Sequence, residues 1–120
     1  MKKILIIDDE AEFADAIKMR LEAGGYRVIA VNDGKSGLDA AKRENPDVIL
    51  LDLVMAGMDG FTVLSELKKD TYTAIIPVII LTAKSETEYV IDAENLGAAG
   101  YLSKPVKMQE LEAVLEGIFK

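Results

Sequence analysis

Residues 48–60 read VILLDLVMAGMDG. Four large apolar side chains in succession run into a carboxylate, Asp52. An unbroken apolar run of this length is the pattern of a strand covered on both faces, as in a parallel sheet. An unpaired carboxylate at the end of such a strand costs several kcal/mol. Groups from elsewhere in the chain must therefore come to Asp52 and offset its desolvation.

The same pattern recurs outward in both directions. Ile4-Leu5-Ile6-Ile7 meets Asp8-Asp9, residues 28–31 form a second run, Pro77 opens a run over 78–81, and 99–102 form the last. Pro is tolerated as the first residue of a strand. Between these runs lie segments with helical spacing. Phe13, Ile17 and Leu21 mark a helix over 11–23, stopped by Gly24-Gly25. Asn32-Asp33-Gly34 caps one over 35–44. Phe61, Leu64 and Leu67 share a face of one over 61–69. Ser85, with Glu88 three residues on, makes a capping box for a helix reaching about residue 96. Leu111, Leu115 and Ile118 face inward from one over 107–119. Five strand–helix units alternate strictly, which predicts an α/β fold: a doubly wound, five-stranded parallel sheet with helices on both faces. Ligands in such sheets bind beyond the carboxyl ends of the strands, where strand order reverses.

The chain has 120 residues, half of them apolar, which suits a single domain over 1–120. No apolar run approaches the ~20 residues of a membrane span. The run after Met1-Lys2-Lys3 is too short for a signal peptide. With no cysteine there is neither disulfide framework nor thiolate metal site. These features read as a cytoplasmic protein that binds no membrane. A net charge of −7 argues against direct nucleic-acid binding. The absence of histidine excludes Ser-His triads, His-ligated zinc and a phosphohistidine on this polypeptide. A metal here would be held by oxygen, which favours Mg²⁺, Mn²⁺ or Ca²⁺.

The polar residues at the strand exits are Asp8-Asp9, Asp52, Thr82 and Ser103-Lys104-Pro105. Topology puts them on one rim. Carboxylates ~4 Å apart repel by a few kcal/mol near a protein surface, so protons or a hard cation must relieve them. Mg²⁺ accepts carboxylate oxygens and leaves room for a phosphoryl oxygen; Lys104 adds a point charge and Thr82 a hydroxyl. The set suits phosphoryl transfer, with a carboxylate as acceptor. Each residue also has an ordinary reading. Asp8 or Asp9 could be a helix N-cap, Thr82 a strand-end hydroxyl, Lys104 a solvated loop lysine, Tyr101 half-buried packing with its hydroxyl in water. Glu10, Glu12 and Asp15 read as a solvated face, and Gly57 and Gly60 as turn glycines.

Asp8-Asp9, Asp52, Thr82-Ala83 and Lys104-Pro105, with the loop 55–60, resemble the receiver domain of two-component response regulators, of the chemotaxis-type single-domain architecture. The resemblance covers essentially the whole chain. It implies a flavodoxin-like (βα)5 fold with strand order 2-1-3-4-5. It also implies Mg²⁺ (or Mn²⁺) held by Asp9, Asp52 and the Val54 carbonyl, with Asp8 acting mainly through water. Asp52 would accept a phosphoryl group from a sensor histidine kinase or phosphotransfer protein. Thr82, Ala83 and Lys104 would bind that group, Thr82 and Tyr101 would form the switch, and the Lys104-Pro105 bond could be cis. The family often has proline where Ala56 stands, which implies a slightly softer loop here. Val54 and Lys84 occupy places where receivers vary and phosphoryl lifetime is tuned. Ala99 and Gly100 lack the acidic residues of receivers that dimerise through their last two helices. Output would pass to a downstream protein effector or a missing C-terminal output domain. Three alternatives are a Mg²⁺-dependent phosphohydrolase, a nucleotide- or flavin-binding domain and a docking-only receiver. The first usually shows Asp-x-Asp at the first strand exit. The second needs a Gly-rich turn where Asp8-Asp9-Glu10 stands, and the third does not explain the intact acid cluster.

Overall fold

A computed structural model of the chain describes residues 1–84 and 86–120. Five strands, β1 (Lys3–Ile7), β2 (Arg27–Val31), β3 (Val48–Leu51), β4 (Val78–Thr82) and β5 (Gly100–Ser103), alternate with five helices. These are α1 (Ala11–Ala23), α2 (Gly34–Glu44), α3 (Gly60–Lys69), α4 (Thr87–Asn95) and α5 (Met108–Ile118). All strand pairs are parallel and the order is β2-β1-β3-β4-β5, as the resemblance implies. Boundaries match the sequence expectation to within a residue or two; Thr82 and Ser103 prove to be strand residues.

Alternate side chains of β1 serve different cores. Ile4 and Ile6 pack with Ala14, Ile17 and Leu21 of α1 and Leu111 and Leu115 of α5. Leu5 and Ile7 pack with Ala40 and Ala41 of α2, Val63, Leu64 and Leu67 of α3 and Ala93 of α4. This two-sided burial is why the strands read as continuous apolar runs. From β1 the chain runs outward to β2, then returns to β3 on the other side, so the order reverses between the exits of β1 and β3.

Asp33 caps α2, accepting the Ser36 N–H at 2.8 Å, and Asp59 caps α3, accepting the Thr62 N–H at 3.0 Å. The cap expected of Ser85 lies outside the described residues. Glu86 holds the N-cap position of α4 without a side-chain cap bond. Gly57 has φ +78° and serves its turn as expected. Gly60 does something else: a Cβ there would lie 2.2 Å from the Asp52 carbonyl oxygen. Close approach of α3 to the end of β3, not turn conformation, demands this glycine. Among the described residues no helix is long and apolar enough to cross a membrane.

Candidate functional site

Register brings the strand exits together. Ile7 pairs with Leu51, and the Asp52 N–H donates to the Ile7 carbonyl at 3.0 Å, so Asp8 and Asp52 leave neighbouring strands side by side. Thr82 pairs with Ser103, and the Lys104 N–H donates to the Thr82 carbonyl at 2.8 Å. This bond ties the start of the Lys104 loop to the β4 exit.

The Lys104 ammonium lies 2.8 Å from Asp8 Oδ2, 2.9 Å from Asp52 Oδ2 and 2.5 Å from Glu10 Oε1. It also sits 4.2 Å from the centroid of the Phe13 ring. Asp8 and Asp52 are only 2% and 3% exposed, so charge-assisted bonds to Lys104 offset their desolvation. Local backbone completes their coordination. Asp52 Oδ1 accepts from Val54 N at 3.0 Å and Asp8 Oδ1 from Glu10 N at 2.9 Å.

Desolvation pushes the Asp8 carboxyl above its ordinary range, and the Asp52 charge adds to the rise; the bonds from Lys104 and the Glu10 N–H pull the other way. For Lys104, burial opposes the charge, but hydrogen bonds to Asp8, Glu10 and Asp52 outweigh it and hold the ammonium protonated beyond the usual lysine range. Asp8, Glu10 and Asp52 each place one carboxylate oxygen within 4.8 Å of the others. This is an all-oxygen donor set suited to a hard divalent cation. An open cleft of about 380 Å³ borders it, lined among others by Asp9, Val54, Ala56, Ala83 and Lys84.

Thr82 is fully buried, and its hydroxyl accepts weakly from Lys84 N at 3.4 Å. Tyr101 is half-buried, and its hydroxyl donates to the Lys84 carbonyl rather than resting in water. Desolvation, with the Glu86 and Asp52 charges, raises its pKa. The Lys104-Pro105 peptide bond is cis.

Residues 4–116 match the response regulator receiver domain family. The chain belongs to that family. It is 40% identical to a probable transcriptional regulator, ycf27, of Porphyridium aerugineum, across 99% of this chain and 48% of that protein. It is 38% identical to protein PilH of Pseudomonas aeruginosa, across 98% of this chain and all of PilH. Among solved structures it resembles the receiver domain of the sensor histidine kinase PA1611 of Pseudomonas aeruginosa PAO1, solved with magnesium in its active-site cleft. That match has a TM-score of 0.90 and 30% identity over 99% of this chain and 98% of that one. The chain spans about half the length of the transcriptional regulators it matches. A receiver domain is a signalling domain of two-component systems, and Mg²⁺-dependent phosphorylation is a general property of its family.

Two residues of this receiver domain do more than the sequence pattern suggests. Glu10 is exposed, as expected with Glu12 and Asp15, but its carboxylate also bonds Lys104. The third acid in Asp8-Asp9-Glu10, at the same strand exit, was the only signal in the sequence. At Ala56 the backbone N–H donates to Asp9 Oδ2 at 3.0 Å, a bond that proline, lacking an N–H, cannot make. Asp9 is thereby tied to the 55–60 loop, where it lines the same cleft as Glu10 and Asp52.

Proposed function

We propose that residues 1–120 form one receiver domain in which Asp52 is the phosphoacceptor. The single observation that carries this is the Lys104 ammonium bridging the buried Asp8 and Asp52 carboxylates at 2.8 and 2.9 Å. An Asp52 oxygen attacks the phosphorus of a phosphohistidine on a sensor histidine kinase or phosphotransfer protein. The P–O bond forms as the P–N bond breaks, and the electron pair leaves with the donor imidazole. Asp9, Asp52 and the Val54 carbonyl would hold Mg²⁺, or Mn²⁺ in its place, with Asp8 acting mainly through water. Such a cation would supply positive charge against repulsion between the carboxylates and the incoming phosphoryl oxygens. Lys104, Thr82 and the backbone at Ala83 receive those oxygens. When the Thr82 hydroxyl turns to the phosphoryl group it leaves Lys84 N, and the Tyr101 contact on the same segment reports the change at the surface. The partner that reads this surface is a downstream protein effector or an output domain, and the domain turns over no separate substrate.

Incubation with Mg²⁺ and a small phosphoramidate donor, followed by intact mass, tests the reading. One phosphoryl group on the wild-type chain and none on Asp52→Asn is expected. Labelling that survives in Asp52→Asn refutes the assignment, and continuous phosphate release from many esters favours a phosphohydrolase.

A further inference from the structure

A lysine ammonium has three N–H donors. In Lys104 all three face carboxylate oxygens: Glu10 Oε1 and Asp52 Oδ2 accept hydrogen bonds, and Asp8 Oδ2 lies 2.8 Å away as an ion pair. A phosphoryl oxygen on Asp52 is a fourth acceptor, so one of the three must yield. Asp8 and Asp52 are buried, and each loses a charge-assisted bond that water cannot replace. The Glu10 side chain is 62% exposed and lines the open cleft. As N-cap of α1 it makes no side-chain cap bond. It exchanges Lys104 for water at the least cost. Charge points the same way: even with Mg²⁺ bound, Asp8, Asp9, Glu10 and Asp52 outweigh Lys104 and the cation, and an incoming phosphoryl group adds to the negative excess.

We propose that Glu10 is a positioning residue, the resting-state occupant of the Lys104 donor that the phosphoryl group takes over. Phosphorylation at Asp52 then expels the Glu10 carboxylate to the surface at the start of α1. This rests on the reading of Asp52 as phosphoacceptor. It follows that Glu10 slows phosphorylation and that its release changes the charge pattern a partner meets beside Glu12 and Asp15.

The test uses the full chain with Mg²⁺ and phosphoramidate, comparing wild type, Glu10→Ala, Glu12→Ala and Asp52→Asn. Glu12→Ala removes the same charge from an exposed site that does not touch Lys104. Glu10→Ala is expected to label roughly threefold to fivefold faster than wild type, the scale of one exposed ion pair, with Glu12→Ala near wild type. A second readout needs no rate. The ¹³C carboxylate resonance of Glu10 in the wild-type chain is expected to move on phosphorylation toward that of Glu12. If Glu10→Ala labels no faster than Glu12→Ala, or the Glu10 resonance stays in place, the inference is overturned while the phosphoacceptor stands. If the wild type takes no label, or Asp52→Asn keeps it, both readings fall together.

Discussion

Replacing Lys104 by methionine isolates what the ammonium does. The stem survives beside Phe13 and the charge does not. Glu10 turns to water. Asp8 and Asp52 remain buried with oxygens within 4.8 Å of each other. At an effective dielectric of ~20 two unit charges at that distance repel by about 3.5 kcal/mol, and each lost charge-assisted hydrogen bond adds roughly 1.5–3 kcal/mol. The variant escapes part of this by taking up a proton. Protonating a carboxyl of ordinary pKa 3.8 costs about 4.4 kcal/mol at pH 7 and about 1.6 kcal/mol at pH 5, at ~1.36 kcal/mol per pH unit. The protonated carboxyl can donate to its neighbour in place of the lost bond, so the cost of the proton sets a ceiling on the penalty. Metal-free Lys104→Met should be about 3–4 kcal/mol less stable than wild type at pH 7, and less than about 2 kcal/mol at pH 5. Urea unfolding followed by far-UV circular dichroism at both pH values measures it. Millimolar Mg²⁺ should recover much of the loss, because the variant site binds a cation without competition from the ammonium. A loss that is equal at the two pH values, or below about 1 kcal/mol at pH 7, refutes the account of Lys104 as the counter-charge of two buried carboxylates.

Further outcomes follow from other residues. Gly60→Ala sets a methyl 2.2 Å from the Asp52 carbonyl oxygen; it should cost at least ~1–3 kcal/mol in urea unfolding and slow labelling of Asp52, and wild-type values for both would contradict the close approach. Ala56→Pro removes the N–H that holds Asp9; Mg²⁺ titrations followed by NMR should show tighter binding than wild type, and weaker binding would refute this role of Ala56. Asp8 should titrate above 3.8 by ¹³C NMR, and Asp33, held down by the Ser36 N–H, below it. The sign for Asp8 is that the folded chain keeps a proton the unfolded chain has released. Its contribution to stability is thus greatest below pH 3.8 and is lost as pH rises through the raised value; Asp8→Asn should remove that slope. Val54 is half exposed at the cleft and carries no polar group to orient a hydrolytic water, so the phosphoryl group on Asp52 should persist for minutes or longer at neutral pH, and decay within seconds would refute this.

The elements that the residue pattern foretold share a cause. Ile4–Ile7, Val48–Leu51 and Val78–Leu81 are covered by helices on both faces, so burial writes each strand as an unbroken apolar run. Parallel strands all point one way, so any polar residue after such a run lands on the same rim, and Asp8, Asp52, Thr82 and Lys104 could be gathered before a coordinate was known. What stayed hidden depends on single backbone bonds. Asp8 Oδ1 takes the Glu10 N–H, and Ala56 N–H takes Asp9 Oδ2. Together these hold Asp9 on the loop and leave Glu10 with Lys104, a choice between adjacent acids that no spacing rule makes. The need for glycine at 60 was hidden likewise, because it arises from the approach of α3 to Asp52 across a loop. These features bear on one property of the resting site. Lys104 satisfies carboxylates that the fold itself has buried, so the apolar run into Asp52 is tolerable without a ligand. The exposed partner, Glu10, is the one that can be exchanged. A site built only from buried partners would be as well neutralised at rest, but it would have no donor to give up when the phosphoryl group arrives.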